Sequence, residues 1–213
     1  MNRLVLAAAA LSVVFISGCY NYVDGGPSVS ETRSVEGYDA LRVDDGLRVT
    51  FQKGETSQVT VDAPEKVMQY LDTKVKNGQL VIGLRSGVTV TTFDTIVITA
   101  SSPSIDTLEA TGGSKLTAKD LSANPLRVTA SGGSDIEITG ASADLRVNAS
   151  GGSGVTADQF AADAVSVDAS GGSTVKVQAL KSLVGSATGG STVTVTGGGD
   201  ISKFSASGGS TLN

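Results

Sequence analysis

The sequence predicts an all-β fold, a parallel β-helix (β-solenoid) with coils of about 19–20 residues, less regular coils at its N-terminal end and one short helix. Two observations predict it. The pentapeptide Ala-[Ser/Thr]-Gly-Gly-Ser occurs six times, opening at Ala110, Ala130, Ala149, Ala169, Ala187 and Ala206, with steps of 20, 19, 20, 18 and 19 residues. A fixed period near 20 residues marks stacked coils, each a unit that cannot bury its apolar face alone. On both sides of the glycines apolar and polar residues alternate, as in Leu126-Arg127-Val128-Thr129-Ala130, then Ser131-Gly132-Gly133-Ser134, then Asp135-Ile136-Glu137-Ile138. Successive strand side chains point to opposite faces. Leu126, Val128, Ala130, Ile136 and Ile138 should therefore fill the interior, with Arg127, Thr129, Asp135 and Glu137 outside.

Residues 1–18 read as a signal peptide. Arg3 supplies a positive start, and Leu4 to Ile16 is a 13-residue apolar run, shorter than the ~20 helical residues that span a bilayer. Ile16-Ser17-Gly18-Cys19 resembles the lipobox of bacterial lipoprotein precursors. That resemblance implies cleavage before Cys19 and attachment there of a diacylglyceryl thioether and an N-acyl chain, with palmitate an expected acyl group. Cys19 is the only cysteine in the chain, and two or three acyl chains anchor stably where one is marginal. Tyr20 stands where enteric-type bacteria place an aspartate for inner-membrane retention, so the outer membrane is the expected address. Residues 19–28, polar and containing Gly25-Gly26-Pro27, read as a lipidated tether.

Residues 29–213 form one domain, with irregular coils over 29–104 and regular ones over 105–213. Leu41-Arg42-Val43, Leu47-Arg48-Val49-Thr50-Phe51 and Gln58-Val59-Thr60-Val61 alternate as strands, separated by the turns Asp44-Asp45-Gly46 and Lys53-Gly54-Glu55. Ala63-Pro64-Glu65 opens the one helical segment, with Val67, Tyr70 and Leu71 at i, i+3, i+4 spacing as the apolar face of a lid. Asn77-Gly78 signals a hairpin between Lys74-Val75-Lys76 and Gln79-Leu80-Val81-Ile82. Strands at Val88–Thr92 and Thr95–Thr99 lead through Pro103 and Ile105 into the regular coils.

In those coils Leu116, Ile136, Val155, Val175, Val193 and Leu212 stand two residues after the triplet, and Ala118, Ile138, Ala157, Val177 and Val195 two further on. Stacking turns such equivalences into ladders. The glycines read as sharp corners without side-chain conflict between layers, since a phosphate loop would need a following helix. Ser114, Ser134, Ser153, Ser173, Ser191 and Ser210 should form a hydrogen-bonding column.

The opening strands, the Pro-Glu segment, Val75-Lys76-Asn77-Gly78-Gln79-Leu80-Val81-Ile82, Ile96-Val97-Ile98-Thr99 with Pro103, and the Gly-Gly-Ser coils together resemble the bacterial family named "putative auto-transporter adhesin, head GIN domain", over about residues 33–212. The resemblance implies a right-handed β-helix, exported or lipidated, with no catalytic residues to carry over. Members of that family often add an aromatic-rich strand after the last corner, a strand this sequence lacks before Asn213.

Chemistry is bounded by what is missing from the sequence. There is no histidine, and the single thiol is committed to lipid. Ser-His-Asp triads, Cys-His pairs and His- or thiolate-held metals are excluded, and no cofactor is expected. Beyond residue 18, 15 basic and 21 acidic side chains give a net charge of −6, which opposes nucleic-acid binding. A calcium β-roll would repeat G-G-x-G-x-D, which only Gly151-Gly152-Ser153-Gly154 approaches. Thr174, Thr192, Thr194 and Thr211 approach an ice-binding face, which Lys115, Asp135, Glu137 and Lys176 interrupt.

The reading is a non-enzymatic, lipid-anchored solenoid of the cell envelope, an adhesin or envelope scaffold. Its expected partners are the membrane, through the lipid on Cys19, and a surface glycan or an envelope protein. The alternative is a polysaccharide-binding or polysaccharide-cleaving protein using Asp135, Glu137 and Asp168. That alternative requires a groove joining carboxylates to aromatics, whereas an adhesin requires only an extended face.

Overall fold

A computed structural model describes residues 21–23, 26–90 and 96–213. The chain is an all-β solenoid whose coils are joined by parallel ladders, and among the described residues helix is confined to α1 (Glu65–Met68). Val67 of α1 is fully buried, and Tyr70 and Leu71 lie beyond its end, Leu71 opening a strand. The expected lid is therefore a single turn. The expected signal peptide, residues 1–18, and Cys19 lie outside the described residues. Within the expected tether, β1 (Asn21–Val23) pairs in parallel with Val88–Val90, and a strand starts at Ser28. Of the two expected strands before the regular coils, Val88–Val90 and Val97–Ser102 are formed, and residues 91–95 lie outside the described residues.

Two ladders run the length of the stack, one on each side of the glycine corners. The ladder before the corners aligns β7 (Gln79–Leu84), β3 (Ala40–Val43), β10 (Thr107–Ala110), β12 (Leu126–Ala130), the later halves of β13 (Asp135–Ala149), β14 (Gly154–Ala169) and β15 (Thr174–Ala187), and β17 (Asp200–Ala206). The ladder after the corners begins with β2 (Ser28–Ser34), β5 (Gln58–Pro64) and β9 (Val97–Ser102), which pair antiparallel. It continues in parallel through β4 (Arg48–Lys53), β11 (Lys115–Ser122), the opening halves of β13 to β15, β16 (Thr192–Thr196) and β18 (Thr211–Leu212).

The expected register holds. Leu116, Ile136, Val155, Val175 and Val193 pair in sequence and are buried, as are Ala118, Ile138, Ala157 and Val177. At the C-terminal end Val195 and Leu212 are only partly buried. Arg127 and Asp135 are exposed, and Thr129 and Glu137 half-exposed, from the same strands.

Each corner is two consecutive left-handed residues, for example Gly132 at φ 63° and Gly133 at φ 77°. The second glycine's N–H donates to the first glycine's carbonyl of the next coil, as Gly133 to Gly151 at 3.0 Å. The ladder thus carries on through the bend. Every corner serine from Ser114 to Ser191 is buried. Ser134 Oγ donates to the Ser131 carbonyl at 2.8 Å and accepts from the Ser114 N–H at 3.2 Å. The column therefore bonds hydroxyl to backbone from layer to layer, which satisfies polar atoms that burial would otherwise penalise.

Candidate functional site

The fold does not bring the three carboxylates that the sequence singles out to one place. Asp135 and Glu137 lie on the ladder after the corners, in β13, whereas Asp168 lies on the ladder before them, between Asn148 and Ser186. Asp168 Oδ1 accepts from Ser186 Oγ at 3.0 Å. The three carboxylates are therefore divided between two faces. Phe160 is fully buried and gives no platform for a sugar ring. Among the described residues, no group of three or more Cys, Asp or Glu side chains is placed to hold a metal ion, and no helix is long and apolar enough to cross a membrane.

Titration shifts mark structural contacts. Burial pushes the Tyr38 phenol well above its ordinary range, and its hydroxyl donates to the Ser101 carbonyl at 2.8 Å. The Lys74 ammonium, with help from Arg85, holds Asp72 below the usual carboxylate range. The Ser202 backbone N–H does the same for Asp200.

What the fold does build is an extended hydroxyl-bearing face. Register on the ladder after the corners places Thr32, Thr60, Thr99, Thr50, Thr117, Glu137, Thr156, Lys176 and Thr194 side by side on nine successive strands. At about 4.8 Å per strand the row runs about 38 Å. All nine side chains are exposed or half-exposed. Two residues toward the corners a second row reads Arg48, Lys115, Asp135, Gly154, Thr174, Thr192 and Thr211.

The repeat spacing in the sequence finds this face only from Thr117 onward, as Thr117, Glu137, Thr156, Lys176 and Thr194 stand at one offset after successive glycine corners. Thr32, Thr60, Thr99 and Thr50 come from strands of irregular spacing and mixed direction, and no period links them. The same holds for one corner. Asp45 at φ 63° and Gly46 at φ 76° reproduce the glycine-corner geometry without its motif. Asp45 is held there by Oδ2 accepting from the Leu84 N–H at 2.8 Å. Asp44 accepts from Thr111 Oγ1 at 2.9 Å and from Arg42 Nε at 2.9 Å, and Arg42 also reaches Glu109 at 3.3 Å. These acids tie coils together and are not free for chemistry.

Comparison with known proteins gives a family and a fold. A family model described as "Putative auto-transporter adhesin, head GIN domain" matches residues 37–199. No curated protein matches the sequence. A solved structure of a "putative adhesin" from Bacteroides fragilis is similar at TM-score 0.72 and 15% identity, over 87% of this chain and 96% of that one. A "putative lipid binding protein" from Parabacteroides distasonis aligns at TM-score 0.52 and 16% identity, over 91% of this chain and 99% of that one. A "putative adhesin" from Parabacteroides merdae aligns at TM-score 0.54 and 14% identity, over 90% and 98%. At these identities the structures speak for the fold alone.

Proposed function

The chain belongs to the head GIN domain family of auto-transporter adhesin type, and on that premise we propose that it is a non-enzymatic adhesin of the bacterial cell envelope, anchored by lipid on Cys19 at the outer membrane. The single observation that carries the reading is the threonine row, a face of nine strands in fixed register. Rigid sheet backbones hold its hydroxyls with little conformational entropy to lose on contact. An adhesive partner needs such area more than depth, and the fully buried Phe160 gives Asp135 and Glu137 no aromatic platform on which a sugar ring could stack. Family membership and the neighbours described as adhesins support the envelope setting.

The test is adherence of cells displaying the full chain. Changing Thr99, Thr117 and Thr156 together to Glu should abolish adherence with the melting transition retained, whereas Thr129→Glu with Ser186→Glu on the other ladder should leave it intact. Equal adherence of both variants would refute the assignment of the face. Cys19→Ser should release the chain from the membrane fraction, and a fatty-acid analogue that still labels this variant would remove the proposed anchor.

A further inference from the structure

The outward face of the ladder before the corners carries two arginines side by side. Parallel register pairs Arg127 of β12 with Arg146 of β13, and both are exposed. Thr107 and Ser166 flank them in the same row, and Thr129 pairs with Asn148 two residues on toward the corner. Like charges on adjacent strands repel. The acids nearby do not relieve Arg127, because each is engaged elsewhere. Glu109 accepts from Arg42 and from Gln79, both at 3.3 Å, Asp106 accepts from Thr107 Oγ1 at 2.7 Å, and Asp168 accepts from Ser186 Oγ at 3.0 Å. Asp144 takes one nitrogen of Arg146, Nη2, at 3.1 Å, which leaves Nε and Nη1 without a partner among the described residues. Arg33, Arg42 and Arg85 each hold an acid, whereas Arg127 makes no hydrogen bond or ion pair among the described residues. Where the two strands begin, an open hollow of about 520 Å³ is lined by Asn124, Ala143, Asp163 and Leu180. Asn124 and Ala143 stand three residues before Arg127 and Arg146, so their backbone lies within about 11 Å of the pair. The acid of the hollow, Asp163, is neutralised by Lys181 at 2.8 Å.

We propose that Arg127 and Arg146 bind a phosphate monoester, and that the group carrying the phosphate lies in the hollow. A single guanidinium fork already matches the two oxygens of a carboxylate. Two forks on strands about 4.8 Å apart match an anion with three free oxygens and a charge near −2, which a phosphate monoester has above its second pKa of about 6. A phosphodiester polymer, with one charge per phosphate, would bring a polyanion to a chain of net charge −5. The site goes beyond the adhesive reading. It lies on the other ladder from the threonine row and stands or falls independently of it.

The experiment measures retention of the full chain on beads carrying mannose 6-phosphate, galacturonate or mannose. Elution by free inorganic phosphate, mannose 6-phosphate or a soluble short-chain phosphatidic acid gives apparent affinities. The phosphorylated beads alone should retain the protein, and retention should weaken below about pH 6 as the phosphate loses its second charge. Arg127→Gln and Arg146→Gln should each weaken it by about tenfold or more, as expected for the loss of a charge-assisted contact. Arg127→Lys should recover part of that loss, since lysine keeps the charge without the fork. Lys53→Gln, an exposed cation on the other ladder, should change nothing. Melting curves must match throughout. Mannose 6-phosphate eluting better than inorganic phosphate supports a sugar phosphate in the hollow, and phosphatidic acid eluting better than both supports a lipid headgroup there. Inorganic phosphate eluting as well as either would overturn the role of the hollow. Equal retention on galacturonate beads, no retention on any bead, or retention unmoved by Arg127→Gln would overturn the site, and the adherence of the threonine variants would still judge the adhesive face on its own.

Discussion

Adding a single methyl group at Gly171 or Gly172 separates two kinds of constraint at one corner. Both residues are left-handed, at φ 65° and 77°. A Cβ there crowds the following carbonyl at a cost of about 1–2 kcal/mol. At Gly172 that is the whole cost, because a Cβ would point into open space. At Gly171 it would also stand 3.1 Å from the Gly151 nitrogen and 3.5 Å from its Cα. Those atoms cannot retreat freely. Gly152 donates to the Gly171 carbonyl at 2.9 Å and Ser170 to the Ala149 carbonyl at 2.9 Å, so relief stretches ladder bonds worth about 1 kcal/mol each. Gly172→Ala should therefore destabilise by about 1–2 kcal/mol and Gly171→Ala by about 2–4. Gly171→Val should cost more still, since β-branched residues are outliers at positive φ. Urea unfolding followed by far-ultraviolet circular dichroism gives the midpoints. Equal losses at the two positions, or none at either, would refute the claim that layer contact, beyond backbone handedness, selects glycine first in the pair.

Two further expectations test burial directly. Val177 is fully buried and Lys176 exposed on one strand, so Val177→Asp should cost several kcal/mol and Lys176→Asp stay within about 0.5 kcal/mol, by denaturation midpoint; equal losses would overturn the alternation. Burial raises the Tyr38 phenol, so the fold holds its proton where the unfolded chain releases it. This contribution is complete below about pH 10, the unfolded value, and is lost as pH rises toward the folded value. Stability should therefore fall above about pH 10 in the wild type. Tyr38→Phe should flatten that fall, and a phenolate absorbance titration in which every tyrosine ionises together near pH 10 would contradict the assignment.

The sequence by itself determined the repeat, the inside-outside parity and the glycine corners. Each follows from local rules that stacking only multiplies: a period of two decides which side of a strand is apolar, and Gly-Gly supplies two left-handed residues wherever it stands. The Asn77-Gly78 hairpin was legible for the same reason, and β6 (Leu71–Lys76) pairs with β7 as that turn requires. Tertiary structure decided the order of layers. The first coil in the chain, β3 to β4, is not the first in the stack, because β7 and β9 return beneath it and β10 and β11 add above it. No residue in β3 encodes which strand arrives on which edge. Both edges offer the same backbone groups, and the choice falls to the packing of Leu41 and Val43 between Leu80 and Ile82 on one side and Leu108 and Ala110 on the other. The threonine row depends on that order. Arg48 and Lys115 are far apart in the chain and become neighbours only when β11 docks on β4. A surface made by long-range register has no period to betray it, which is why the N-terminal half of the threonine face emerged from the fold and the coils from the sequence.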